Sequence, residues 1–353
     1  MNEQTHSVRA LGVSAPGAAF TSMHIERRAV GAKDVHIAIE FAGICHSDVH
    51  QARNEWFEGI FPMVPGHEIA GRVVAVGAEV TKYAVGDRVG VGVMVDSCRE
   101  CEYCLEGREN FCLKGNVQTY NGRYYDGTPT LGGYSTEIVV DEHFVCRIPD
   151  ALPLDGAAPL LCAGITVYTP LKNWNAGPGR RIAVLGLGGL GHLAVKIAVA
   201  MGATVTVLGR SASKRADALA FGAVDYVDTT DVSIYATYAN SFDVILNTTS
   251  ANLDIDRLLK LVRAGGALVT VGLPGKRESY NPFSIIDAQK AIAGSNTGGI
   301  AATQEMLDFC ATHAITASIE LVDGTPANID AAYDRVVGSD VRYRFVIPTA
   351  TIG

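Results

Sequence analysis

The stretch RIAVLGLGGLGHLAVKIAVAMGATVTVLGR, residues 181–210, constrains the fold more than any other part of the chain. A short apolar run over about 181–185 predicts a buried strand, the alanine-rich run over about 189–201 predicts a helix, and TVTVL at 204–208 predicts a second strand. Strand, helix and strand in that order make a βαβ unit of a parallel sheet. Gly186 permits the tight turn, Gly188 lets the backbone approach pyrophosphate and Gly191 lets the helix pack closely, with Gly189 and Leu190 between them in the same cofactor-binding motif. The unpaired N–H groups at the helix N-terminus then face the pyrophosphate of a dinucleotide. The run over 182–208 is long enough to span a bilayer, but its glycines break it into strand, turn and helix, so no membrane span is expected.

The end of the second strand bears on which dinucleotide binds. An acidic residue there would accept hydrogen bonds from the adenosine ribose and repel a 2'-phosphate. This chain has Gly209 instead, followed by Arg210, Ser211 and Lys214. A guanidinium fork, a hydroxyl and an ammonium suit a phosphate, so NADP(H) is the expected cofactor.

Half of the eight cysteines fall within residues 96–112, as Cys98, Cys101, Cys104 and Cys112. The spacing C-x2-C-x2-C-x7-C lets short loops bring four thiolates to one ion, which predicts a closed structural zinc site with no vertex for substrate. Other potential ligands are scattered: Cys45, His46, Asp48 and His50 in GICHSDVH, His67 and Glu68 in PGHEIAG, and Cys162 in LLCAGITVY. Spacing alone does not pair them.

Those segments, with PMVPGHEIAGRVVAVGAEVTKYAVGDRVGVG, TYNGRYYDGTPTLGGYSTEIVVDEHFV and the closing VRYRFVI, lie in an order that resembles the zinc-dependent medium-chain dehydrogenases/reductases. Within that superfamily the chain is similar to the cinnamyl-alcohol-dehydrogenase-like, NADP-dependent branch, over about residues 10–346. The resemblance implies that Cys45, His67 and Cys162 bind a catalytic zinc with one vertex open, and that Glu68 lies beside it. Two zinc ions per subunit are therefore expected. It further implies that Ser47 and His50 relay a proton from the substrate hydroxyl to solvent, and that Asp48 orients a ligand histidine. His46 matches a residue near the pyrophosphate, Thr166 one beneath the nicotinamide, and Trp56 and Phe57 line a substrate channel. Asn296, in GSNTGG, stands where the branch commonly brings bulkier apolar residues to the pocket.

The implied fold class is α/β: a GroES-like β-barrel catalytic domain plus a Rossmann, doubly wound parallel sheet. Residues 1–154 and 298–353 form the first, carrying the zinc lobe at 96–112, and 155–297 form the second; zinc and nicotinamide meet in the cleft between them. The implied reaction is reversible hydride transfer between NADP(H) and primary alcohols or aldehydes of aromatic or medium-chain type, with an NAD-linked or polyol-type zinc dehydrogenase as the alternative. A zinc-free reductase on the same fold would need neither cysteine set, and a non-enzymatic zinc module would need neither GLGGLG nor Cys162.

A formal net charge of −8 gives no basic face for a polyanion, so no nucleic-acid partner is expected. The opening MNEQTHSVRALGVSAPG lacks a basic region followed by an apolar run, which implies no export signal and a cytoplasmic chain. A homodimer is what the resemblance implies.

Overall fold

Short runs of β-branched residues punctuated by Gly and Pro build strands through the first half of the chain. The computed structural model describes residues 5–353; the first four residues of the opening stretch lie outside the described residues. β1 (His6–Gly12) and β2 (Thr21–Arg27) form an antiparallel pair. The long β3 (Asp34–Ile44) then pairs antiparallel with β4 (Ile69–Val76), which pairs with β5 (Arg88–Val91). In the cysteine lobe β6 (Met94–Asp96) pairs with β7 (Val117–Gln118). β8 (Glu137–Asp141) lies on the start of β3, and β9 (Val145–Arg147) closes on β5. Val35, Ile37 and Ile39 alternate inward along β3 and are buried with Ile69, Val89, Val140 and Phe144. A second core joins Leu11, Ile44, Met63, Tyr134 and Phe345.

From position 181 the pattern becomes strand and helix in alternation. β10 (Arg181–Leu185), β11 (Thr204–Gly209), β12 (Asp225–Asp228), β13 (Phe242–Asn247), β14 (Val262–Thr270) and β15 (Ala291–Gly294) form one parallel sheet in the order β12-β11-β10-β13-β14-β15. Crossovers run outward from β10 and then from β13, so the order reverses between those two strands. That is the doubly wound arrangement, with its topological switch point beside the first βα turn. The middles of these strands are mostly apolar, and Leu185, Leu208, Ile245 and Leu268 share one core with Leu259 of the helix Ile255–Leu261. The helix expected over NLDIDRLLKLVRAG stops at Leu261, because Val262 already belongs to β14.

The chain falls into two packed units, one running to Ile165 and resuming over Gly298–Gly353, the other Thr166–Thr297. β16 (Ile319–Leu321) and β17 (Arg344–Pro348) belong to the first, where β17 pairs antiparallel with β3. The first unit runs past the expected limit at 154, because residues 154–161 pack on β3 and β4 with Leu160 and Leu161 buried. Cys162 therefore belongs to it. Among the described residues no single helix is long and apolar enough to cross a membrane.

Candidate active site

The centre of the first unit's site is the junction of β3 with α1 (His46–Ala52). Cys45 caps α1, and its backbone N–H donates to Asp48 Oδ2 at 2.8 Å, an acidic side chain in the first turn where the helix dipole favours it. Cys45, His67, Glu68 and Cys162 converge, with their donor atoms all within 4.8 Å of one another. All four residues are buried. Cys45 Sγ and Cys162 Sγ are 3.9 Å apart, close to the ~3.8 Å edge between two thiolates each ~2.3 Å from one tetrahedral zinc. His67 Nε2 lies 3.1 Å from Cys162 Sγ.

Electrostatics support the same use of these atoms. Hydrogen bonding from Cys162 pulls the Cys45 thiol well below its ordinary value, while the same contact and burial push Cys162 well above. Glu68 is pushed up to about 7 by burial, against the pull of the Arg344 guanidinium with which it is ion-paired. Its Oε2 is buried without a hydrogen-bond partner. An orphaned carboxylate oxygen beside two thiols and an imidazole is a donor set that a zinc ion satisfies.

Asp48, fully buried, meets His67 Nδ1 through Oδ1 at 3.2 Å and accepts the Tyr134 hydroxyl on Oδ2 at 3.0 Å. Burial opposes protonation of His67, but the charge and hydrogen bond of Asp48 raise it well above its ordinary value. A proton held on Nδ1 leaves Nε2 facing the thiols, the tautomer a metal requires. Ser47 Oγ lies 3.5 Å from Cys45 Sγ. His50 is stacked between His46 and Trp56, with centroids 4.7 Å away on each side, and its Nδ1 is hydrogen-bonded to Glu55. Burial and the neighbouring His50 depress His46. Trp56 is thus held by its contact with His50, while Phe57 is exposed.

In the lobe, Cys98, Cys101, Cys104 and Cys112 also lie within 4.8 Å of one another, with Cys98 Sγ and Cys104 Sγ 3.8 Å apart. The backbone N–H groups of Leu113 and Cys104 bring the Cys101 thiol down to about 6, and Cys98 N–H donates to Cys112 Sγ. Backbone donors aimed at sulfur suit a set of thiolates around one ion.

The dinucleotide motif occupies the turn from β10 to the helix Gly191–Ala200. Gly186 has φ +92°, and a Cβ on Gly191 would stand 2.1 Å from the Gly186 carbonyl, so the turn and the close helix contact both require glycine. Lys214 Nζ donates to the Leu187 carbonyl at 2.9 Å, which brings the ammonium to the same turn. Ser211 and the exposed Arg210 follow β11, and the Tyr226 hydroxyl donates to the Ser211 carbonyl at 2.7 Å. A Cβ on Gly209 would lie 2.2 Å from that hydroxyl oxygen. Tyr226 therefore occupies the space an acidic residue would need. Thr166 is half-buried in the helix Ala163–Asn173, and Asn296 is exposed just beyond β15.

Sequence reasoning missed Arg344, Tyr134, Tyr120, Glu55 and Tyr226. Tyr120 is buried and stacks on His67 at 5.6 Å. An arginine entering an apolar strand, as in RFVI, needs a buried carboxylate partner, a signal that calls for such a group without saying which.

One unit of antiparallel strands carrying two thiol clusters, one of them with a histidine, and a second unit with a glycine turn at a sheet switch point are the parts of a metal-dependent, nucleotide-binding oxidoreductase. The chain belongs to the zinc-binding dehydrogenases, the zinc-dependent alcohol dehydrogenase family. Residues 31–150 match the alcohol dehydrogenase GroES-like domain and residues 189–312 the zinc-binding dehydrogenase domain. It is 58% identical to a probable formaldehyde dehydrogenase of Bacillus subtilis, covering 98% of this chain and 99% of that one. It is 58% identical to an NADP-dependent alcohol dehydrogenase C of Mycolicibacterium smegmatis, covering 94% and 95% respectively. A cinnamyl alcohol dehydrogenase from Helicobacter pylori, solved with NADP(H), superposes with a TM-score of 0.92 at 41% identity, covering 99% of this chain and 100% of that one.

Proposed function

We propose that this chain is an NADP(H)-dependent zinc alcohol dehydrogenase and aldehyde reductase acting on primary alcohols and aldehydes of aromatic or medium-chain type. The observation that carries the reading is the convergence of Cys45, His67 and Cys162, three donors gathered with the buried carboxylate of Glu68. Zinc bound there supplies a Lewis acid for the substrate oxygen, and NADP(H) supplies or accepts the hydride. Asp48 holds the Nδ1 proton of His67, and Tyr134 holds Asp48. Ser47 would accept the substrate hydroxyl proton as it gives up its own, and His50 would carry the relayed proton toward solvent, with Glu55 hydrogen-bonded to the imidazole Nδ1. The lobe thiols hold the second, structural zinc.

The cofactor preference rests on the basic and hydroxyl side chains after β11 and on the exclusion of any side chain at position 209 by Tyr226. The Mycolicibacterium relative is named NADP-dependent and the H. pylori protein was solved with NADP(H), which agrees. The sheet offers support for a homodimer: β15 ends it, and Phe283, Ile286 and Ile292 near that edge are exposed. Thiol-rich metal sites suit a reducing cytoplasm. Initial rates with NADPH and NADH on one aromatic aldehyde, before and after chelator treatment, test the reading. NADPH preference with loss of turnover on metal removal is expected. NADH preference overturns the cofactor assignment, and full turnover without metal overturns the mechanism.

A further inference from the structure

Three side chains on the first unit, none belonging to the sites above, are gathered around one carboxylate oxygen. His6 opens β1, His36 lies early in β3 and Glu137 opens β8. In the β3–β8 pair, His36 stands opposite Val139 and Ala38 opposite Glu137, so His36 and Glu137 project from the same face. A bridge between Ala10 and Ser135 lays β1 alongside the approach to β8, which brings His6 to the pair. His36 Nε2 is 2.7 Å and His6 Nε2 3.1 Å from Glu137 Oε2. The three donor atoms all lie within 4.8 Å of one another, and the two rings are tilted at 50° with centroids 4.7 Å apart.

We propose that His6, His36 and Glu137 form a third metal site, which takes a divalent ion of the nickel, copper and zinc group. Two imidazole nitrogens and a carboxylate, without sulfur, are the donor set that this class of ion accepts. Ligands ~2.0–2.2 Å from one ion stand roughly 2.9 Å apart at right angles and about 3.4 Å apart at the tetrahedral angle; the observed 3.1 Å lies between those values and 2.7 Å a little below the first, a gap that a small side-chain shift closes. Both rings present the same nitrogen, Nε2, to the carboxylate. Side-chain exposures of 32% for His6, 16% for His36 and 34% for Glu137 leave the cluster open to solvent. The nearby Arg27 does not compete for the carboxylate: it donates to the backbone carbonyls of Glu137, Leu131 and Gly132 and to Ser135 Oγ, and so fixes the backbone that carries Glu137. An ion here ties β1 to β3 and β8, and its binding energy adds to the stability of the unit.

The test uses full-length, untagged enzyme as purified with its zinc, and Ni2+ as the probe. Calorimetric titration near neutral pH is followed by elemental analysis of zinc and by absorption spectroscopy for thiolate-to-nickel charge transfer. The expected result is one Ni2+ bound per subunit, zinc content unchanged and no thiolate band, with a higher Tm. His6→Gln and His36→Gln should each weaken nickel binding more than roughly tenfold, since losing even an outer-shell partner costs that much. His6→Gln is the decisive variant should His36→Gln lower the Tm of the nickel-free protein. The proposal is overturned if no nickel binds beyond the zinc, if it binds with a thiolate band or with release of zinc, or if both variants bind as the parent does.

Discussion

Replacing Asp48 by asparagine isolates one contact of the catalytic set. The asparagine carbonyl can still accept the Cys45 N–H and the Tyr134 hydroxyl, which lie 2.8 and 3.0 Å from Asp48 Oδ2. The amide nitrogen then confronts His67 Nδ1, now 3.2 Å from Oδ1, with a donor in place of an acceptor. Either the imidazole gives up its Nδ1 proton and presents a protonated Nε2 to the metal, or the pair separates inside a site with no room to do so. A hydrogen bond to a charged group contributes about 1.5–3 kcal/mol, which corresponds to roughly 10- to 100-fold in zinc affinity. Competition against a graded series of chelators should show one of the two zinc ions leaving at correspondingly lower chelator strength while the lobe zinc stays. The kcat/KM should fall in parallel and recover partly in excess zinc, and Tm at saturating zinc should stay near the parent value. An Asp48→Asn protein that holds both zinc ions as tightly as the parent would refute the role given to this carboxylate.

Cys162→Ser should abolish turnover and release one zinc with little change in Tm, whereas Cys101→Ser should release the other and mainly lower Tm; elemental analysis with a melting curve distinguishes them. Gly209→Asp alone should weaken NADPH use without conferring NADH use, because the new side chain meets the Tyr226 hydroxyl; adding Tyr226→Ala should permit NADH use, and steady-state kinetics with both cofactors decide. Asp243, buried in β13, accepts the Arg181 N–H at 2.8 Å and pairs with Arg263 and Arg180 at 3.0 and 3.3 Å. Burial pushes its carboxyl up, but that N–H and the two guanidinium charges hold it below its usual range. A depressed carboxylate stabilises the fold above its unfolded value of ~3.9, and that contribution is lost as pH falls through the folded value. Asp243→Asn should therefore melt several degrees below the parent at pH 7, with the gap closing toward pH 3; a gap independent of pH would contradict this.

The glycine turn, its flanking strand and helix, and the four-cysteine lobe could be read from local spacing because each is made by residues adjacent in the chain. The catalytic set could not, since Cys45, His67 and Cys162 come together only through β3, β4 and the segment that packs on them; order of motifs and resemblance supplied that pairing. Arg344, far downstream, reaches Glu68 because β17 pairs with β3, a register that no local pattern encodes. Tyr226 escaped notice for a similar reason. It acts by filling space at position 209 from the neighbouring parallel strand, and only a built sheet reveals the conflict. His6, His36 and Glu137 lie on three strands, and each alone reads as an ordinary surface residue.

The first unit is interrupted by the whole of the second, and its closing strand β17 lies almost at the carboxyl terminus. During synthesis the parallel sheet is complete while the barrel still lacks the arginine that balances Glu68. The sulfur and imidazole donors are thus all made before the second unit, and only the counter-charge that sets the state of Glu68 has to come from beyond it.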